Sequence, residues 1–191
     1  MQRAKGEPAL KAYAWQIFVV ILLAGCAPFT AVGGKLTLPA QGFEVGLPEG
    51  WYRAEDVNEA LLLTRVGLPL QLIRIERVSV GGELPYIKKK FAPDMPPYEA
   101  GEIELDDLRA TPENSSFELL ERGPATVSGR PGFRLLSTWR TREGLRVKQL
   151  HYGFLKGKWV YRLIYQAAAR YYFDRDLVTF ELVRSSFRLL P

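Results

Sequence analysis

Apolar and polar positions alternate with a period of two along four stretches in the last third of the chain, residues 117–127, 131–141, 145–155 and 158–166. In the second stretch Phe133, Leu135, Ser137 and Trp139 share one face while Arg134, Thr138 and Arg140 point away; in the fourth, Trp159, Tyr161, Leu163 and Tyr165 oppose Arg162 and Gln166. That period predicts antiparallel strands with one buried face and the other largely wet. Glu143-Gly144 and Lys156-Gly157 fall between stretches, where glycine supplies the positive φ of a tight hairpin. Beyond them Phe173, Leu177, Phe180, Val183 and Phe187 recur at helical spacing behind Asp174, a candidate N-cap. The chain is therefore expected to close with an amphipathic helix lying on the sheet. Upstream, residues 43–47 alternate ahead of a turn at 48–50, and "EALLLTRV" and "LQLIRIERVSV" are strand-like runs broken by Gly67 and Pro69. Together they predict an early antiparallel block.

Residues 81–116 break this rhythm with Gly81, Gly82, Pro85, Pro93, Pro96, Pro97, Gly101 and Pro112. Short helices are expected around 86–91 and 98–110. Long connections in compact domains are often functional, the alternative being a surface insertion without ligand contact.

The N-terminal pattern is of another kind. Arg3, Lys5 and Lys11 precede an unbroken apolar run over 17–23, followed by Ala24, Gly25 and Cys26. The run is far short of the roughly 20 residues that cross a bilayer, so residues 1–25 read as a signal peptide. Leu23, Ala24, Gly25 and Cys26 resemble the lipobox of bacterial lipoproteins: a Leu, two small residues and the Cys that becomes the lipidated N-terminus. That resemblance implies an acylated Cys26 as membrane anchor, where several acyl chains give durable attachment. It also implies, through Ala27 in place of an Asp, the periplasmic face of an outer membrane, or the outer face of the plasma membrane where the source has only one. Residues 26–41 contain Pro28, Gly33, Gly34 and Pro39 and few large apolar side chains, and are expected to form a flexible tether. A single globular domain is expected over 42–191.

Composition narrows the function. The 191 residues suit one ordinary domain. Net charge is +5, falling to +3 without the first 25 residues, too little to argue for nucleic acid. Cys26 is the one cysteine, so no internal disulfide can form and packing alone must supply stability.

"FEVGLPEGW" at the start of the domain, "VSGRPGFRL" over 127–135, "KWVYRLIYQA" over 158–167 and "FELVRSSFRL" over 180–189 resemble the PsbP-like, or Mog/PsbP-like, proteins. The resemblance implies an α+β fold: an antiparallel β-sheet flanked by helices, the PsbP-like α/β/α sandwich. It also implies a binding or assembly role without catalysis, although none of the functional residues of plant PsbP can be matched here.

No reaction-specific motif accompanies these features. His151, the single histidine, lacks an HxxxH, HxE or CxxC partner and is expected to be an ordinary hydrogen-bonded sheet residue, so no metal site is assigned. No GxSxG or phosphate loop occurs, and Ser115 and Ser116 read as turn residues. No catalytic residue and no cofactor is assigned. Lys88, Lys89 and Lys90 in "YIKKKF" are a candidate surface contact, for anionic headgroups or acidic polymers. The aromatic set Trp51, Trp139, Trp159, Tyr161, Tyr165, Tyr171 and Tyr172 is expected chiefly in the core. The preferred reading is a membrane-anchored, non-catalytic binding or assembly module that meets an envelope protein or polymer through residues 81–116 and the neighbouring sheet edge. The rival is a small envelope hydrolase using the carboxylates Glu104, Asp106 and Asp107 or a divalent cation held by them.

Overall fold

A computed structural model describes residues 29–54 and 60–191; the expected signal peptide, Cys26 and Ala27 lie outside the described residues. Alternating segments pair into one antiparallel sheet: β1 (Phe29–Leu38), β2 (Phe43–Ala54), β3 (Leu61–Thr64), β4 (Gln71–Ser79), β5 (Ser115–Val127), β6 (Arg130–Arg140), β7 (Arg146–Lys156) and β8 (Trp159–Ala168). The spatial order is β1-β2-β3-β4-β8-β7-β6-β5, and a short β9 (Arg188–Leu189) pairs with the start of β2. Two helices, α1 (Pro97–Ala110) and α2 (Tyr172–Ser186), complete the α+β sandwich. Among the described residues no helix is long and apolar enough to cross a membrane.

The stretch expected as a tether is a strand from Phe29 onward. β1 pairs with β2 from Phe29↔Ala54 to Leu38↔Phe43, and the register breaks once, between Val32↔Trp51 and Gly34↔Leu47. There Gly33 alone stands opposite residues 48–50, a bulge that bends the hairpin where a turn was expected. Gly34 takes φ +73°, which explains the glycine without any need for a flexible linker. Val32, Leu36 and Leu38 pack against the core. The described domain thus begins at Phe29 rather than at residue 42.

α2 covers one face of the sheet through the predicted stripe: Phe173, Phe180 and Val183 are buried, and Phe187, just past the last turn, is too. Phe180 stacks at 5.4 Å on Tyr165, and Phe187 lies 5.0 Å from Phe43. The N-cap is Tyr171, not Asp174, which sits inside the first turn and there complements the helix dipole.

The opposite face is also covered, contrary to the expectation of a wet side. α1 packs on β5, β6 and β7, and its Ala100, Ile103 and Leu105 join Leu84, Phe91, Phe133, Leu135 and Val160 in a second core cluster. The register explains the discrepancy. Phe133 pairs with Gly153 and Gly153 with Arg162, so the apolar row of β6 shares its face with the polar row of β8. Each strand hides its own apolar row on a different side, and both sides need a helix.

The expected helix around 86–91 does not form. Residues 81–95 run as an irregular strap pinned by the buried Leu84 and Phe91 and by the Gly81 N–H donating to the Phe91 carbonyl (2.9 Å). A segment that short, bounded by Gly81, Gly82 and Pro85, cannot offset helix nucleation.

Candidate functional site

α1 opens on Pro97, whose missing N–H would be unpaired at that position anyway. Its Gly101 sits over the Phe133 ring, where a Cβ would lie 3.2 Å from that side chain. Beneath, a Cβ on Gly153 would overlap the same ring, and one on Gly132 would overlap the Gly153 carbonyl. These glycines let helix and strands close around Phe133. On its open side this seat leaves a groove of about 1040 Å³ between the first half of α1 and the β5–β6 hairpin. One wall is Pro97, Tyr98, Gly101 and Glu102; the other is residues 122–126 and 131–135. Tyr98 stands at the mouth, 69% exposed. The charged groups there are paired: Arg122 bonds Glu102 across the groove, and Arg134 bonds Glu121 at 2.7 Å. The surface offered is thus apolar and backbone-rich, with little net charge.

Under α1 and the strap lies a buried ionic group. The Arg162 Nε donates to Glu104 (2.7 Å), and its Nη1 is 3.5 Å from Glu76. Burial raises the Glu104 pKa against the pull of Arg162, while Glu104 and Glu76 hold Arg162 above its usual range despite burial. The Phe91 ring lies 5.9 Å from this guanidinium. A smaller cavity of about 360 Å³, between the strap and β4, reaches Arg162 and Phe91. His151 on β7 is buried, with its ring edge-on to Phe133 at 5.4 Å. Among the described residues neither His151 nitrogen has a protein partner, nor do Ser137 Oγ and Gln149 Nε2. Burial, and then the charge of Arg162, push the His151 pKa down to about 3. The expectation of an ordinary hydrogen-bonded histidine is thereby corrected.

The other sequence candidates are scattered. Lys88, Lys89 and Lys90 are exposed, but Lys89 pairs with Asp106 at 2.5 Å and Lys90 with Glu83 at 3.5 Å, leaving Lys88 as the one of the three without an ion pair among the described residues. The acidic cluster is divided: Glu104 binds Arg162, Asp106 binds Lys89, and Asp107 accepts the Tyr86 N–H at 3.1 Å. Among the described residues no group of His, Cys, Asp and Glu could hold a metal ion. Ser115 donates to the Arg140 carbonyl at 2.8 Å, and Ser116 occupies a positive φ. Of the aromatic set, Trp51, Trp139, Tyr161 and Tyr165 are in the core, whereas Tyr171 is exposed. Cys26 lies outside the described residues. Sequence reasoning missed both the groove and Arg162. The signals available were the small residues Gly101, Gly123 and Gly132 and an arginine on the seemingly wet row of β8.

No family model matches the chain, and no curated protein matches it by sequence. Solved structures match in fold. Cyanobacterial PsbP (CyanoP) from Synechocystis sp. PCC 6803 superposes with a TM-score of 0.57 at 12% identity, covering 87% of this chain and 95% of that one. LpqN of Mycobacterium tuberculosis, described as involved in cell envelope biogenesis, gives 0.51 at 15%, covering 85% and 91%. A point mutant of the protein Mog1 gives 0.53 at 11%, covering 83% and 96%. A longer protein from Bacteroides thetaiotaomicron is matched over only 49% of its length. The fold is therefore the PsbP-like, Mog1-like sandwich expected from the sequence.

Proposed function

We propose that this chain is a non-catalytic binding or assembly module of the bacterial cell envelope. Lipid on Cys26 holds it at a membrane, with Ala27 favouring the periplasmic face of an outer membrane. An uncharged segment of an envelope protein or polymer occupies the groove between α1 and the β5–β6 hairpin. The observation that carries this reading is the groove itself. Its volume of about 1040 Å³ matches the upper end of ordinary ligand sites, its charges are spent on each other, and it opens where residues 81–116 meet the edge strand β5. The description of LpqN as an envelope-biogenesis protein supports the compartment. The hydrolase alternative draws no support from Glu104, Asp106 and Asp107, because each is committed to a different partner.

The test is photo-crosslinking in intact cells with a benzophenone amino acid in place of Tyr98. A discrete adduct should form there and not with the probe at Glu83. Thr126→Trp, an exposed strand position lining the groove, should block the adduct without unfolding the domain. An adduct indifferent to Thr126→Trp would refute the groove. Separately, Cys26→Ala should leave an unacylated precursor in mass spectra of membrane extracts; a mature chain starting downstream of residue 26 without lipid would refute the anchor.

A further inference from the structure

The outward face of α2 carries side chains that stay largely exposed, two of them aliphatic. Tyr171, Val178 and Leu182 are 64, 69 and 65% exposed. At about 100° per residue a step of four places Val178 and Leu182 on one stripe, opposite the buried Phe173, Asp176, Phe180 and Val183, and Tyr171, the N-cap, is exposed at the start of the helix. The stripe is flanked by opposite charges at its two ends. Asp174, in the first turn, has a side chain 74% exposed, and among the described residues its ion pair is with Lys148, at 3.9 Å. Arg188, just beyond the last turn, is exposed; its guanidinium donates to the Ser185 and Phe187 carbonyls of its own chain, and no carboxylate pairs with it among the described residues.

An acidic start, an apolar middle and a basic end form a self-complementary surface. We propose that α2 is a self-association surface, on which two copies of this chain pair their C-terminal helices antiparallel about a twofold axis passing between Val178 and Leu182. Val178 of each copy then packs on Leu182 of the other, and Asp174 of each faces Arg188 of the other. The antiparallel helix dipoles attract, whereas a parallel pair would set Asp174 against Asp174. Two helices meeting along one stripe bury less than a standard interface of roughly 1,200 Å² or more, so the dimer is weak and depends on concentration. This inference is independent of the groove and of the anchor.

Full-length chain in native membranes tests it with a short bismaleimide. Val178→Cys and Leu182→Cys chains carrying different epitopes are co-expressed, and the mixed dimer is read on gels. On a Cys26→Ser background, which removes the other thiol, the mixed 178–182 product should exceed the 178–178 product. Asp174→Arg should lower the mixed yield roughly 5-fold, about what two exposed ion pairs supply. Adding Arg188→Asp should restore it to within about 2-fold. All these positions are exposed, and a cooperative urea transition in each variant confirms folding. A dominant 178–178 product, absence of the mixed product, or no rescue by the charge swap overturns the proposal.

Discussion

His151 makes stability depend on pH in a window where few other groups titrate. In the folded chain it lies beneath α1 and against Phe133, without a hydrogen-bond partner among the described residues, and holds a pKa of about 3. In the unfolded chain it returns to the ordinary 6.5. Above that value both states are neutral and the contribution to stability is complete. As pH falls below it, the unfolded chain binds a proton that the folded chain refuses, and stability is lost progressively until the folded pKa is reached. From about pH 7 to about pH 5 the loss is ~2 kcal/mol by linkage, a sizeable part of a typical ~5–15 kcal/mol. With a urea m-value of ~2 kcal/mol per molar, the midpoint should drop by about 1 M over that interval. His151→Leu keeps the volume and removes the two unpaired nitrogens, so it should unfold no earlier than the parent at pH 7 and lose most of the drop on acidification. Asp176, whose carboxyl is held below its usual value, loses its contribution only in stronger acid. Glu104 is raised and so opposes the histidine slope; both cancel in the comparison of parent and variant. Parallel midpoint shifts in the two proteins would show that His151 titrates normally and is not sealed under α1.

Phe180→Ala should cost ~3–5 kcal/mol, read as a lower urea midpoint, while Val178→Ala, on the outer stripe of the same helix, should shift it by no more than about 0.5 kcal/mol. Glu181→Ala should cost about 1 kcal/mol, since Glu181 accepts from the Tyr152 hydroxyl at 2.7 Å and pairs with Arg184 at 2.6 Å. Gly153→Ala should destabilise by ~1–3 kcal/mol by forcing the Phe133 ring from its seat, and Phe133→Leu in the same chain should recover part of that in thermal unfolding. Arg162→Met, which strands Glu104 and Glu76, should cost ~3–5 kcal/mol. Adding Glu104→Met should give some back, and a double variant worse than the single would refute the pairing.

Local periodicity carried most of the strands and the C-terminal helix. The period of two in β5–β8 and the stripe Phe173–Phe180–Val183 needed no partner to be read, because side-chain direction follows from backbone geometry alone. The soft turn and core signatures likewise led to the sandwich that the solved structures share. Three features were not local. β1 was hidden by its glycines: Gly33 and Gly34 have the composition of a linker, and only pairing with β2 turns them into a bulge. The second covered face was invisible strand by strand, since β6 and β8 each show one apolar row, and cross-strand register alone reveals that those rows point to opposite sides. The groove and the Arg162–Glu104 pair followed from that register. Arg162 and Glu104 stand 58 positions apart in the chain, and whether an arginine on an alternating strand meets water or a buried carboxylate depends on which helix lies above it. Hydrophobic periodicity is a property of neighbouring residues, whereas burial of a polar side chain is a property of what folds over it.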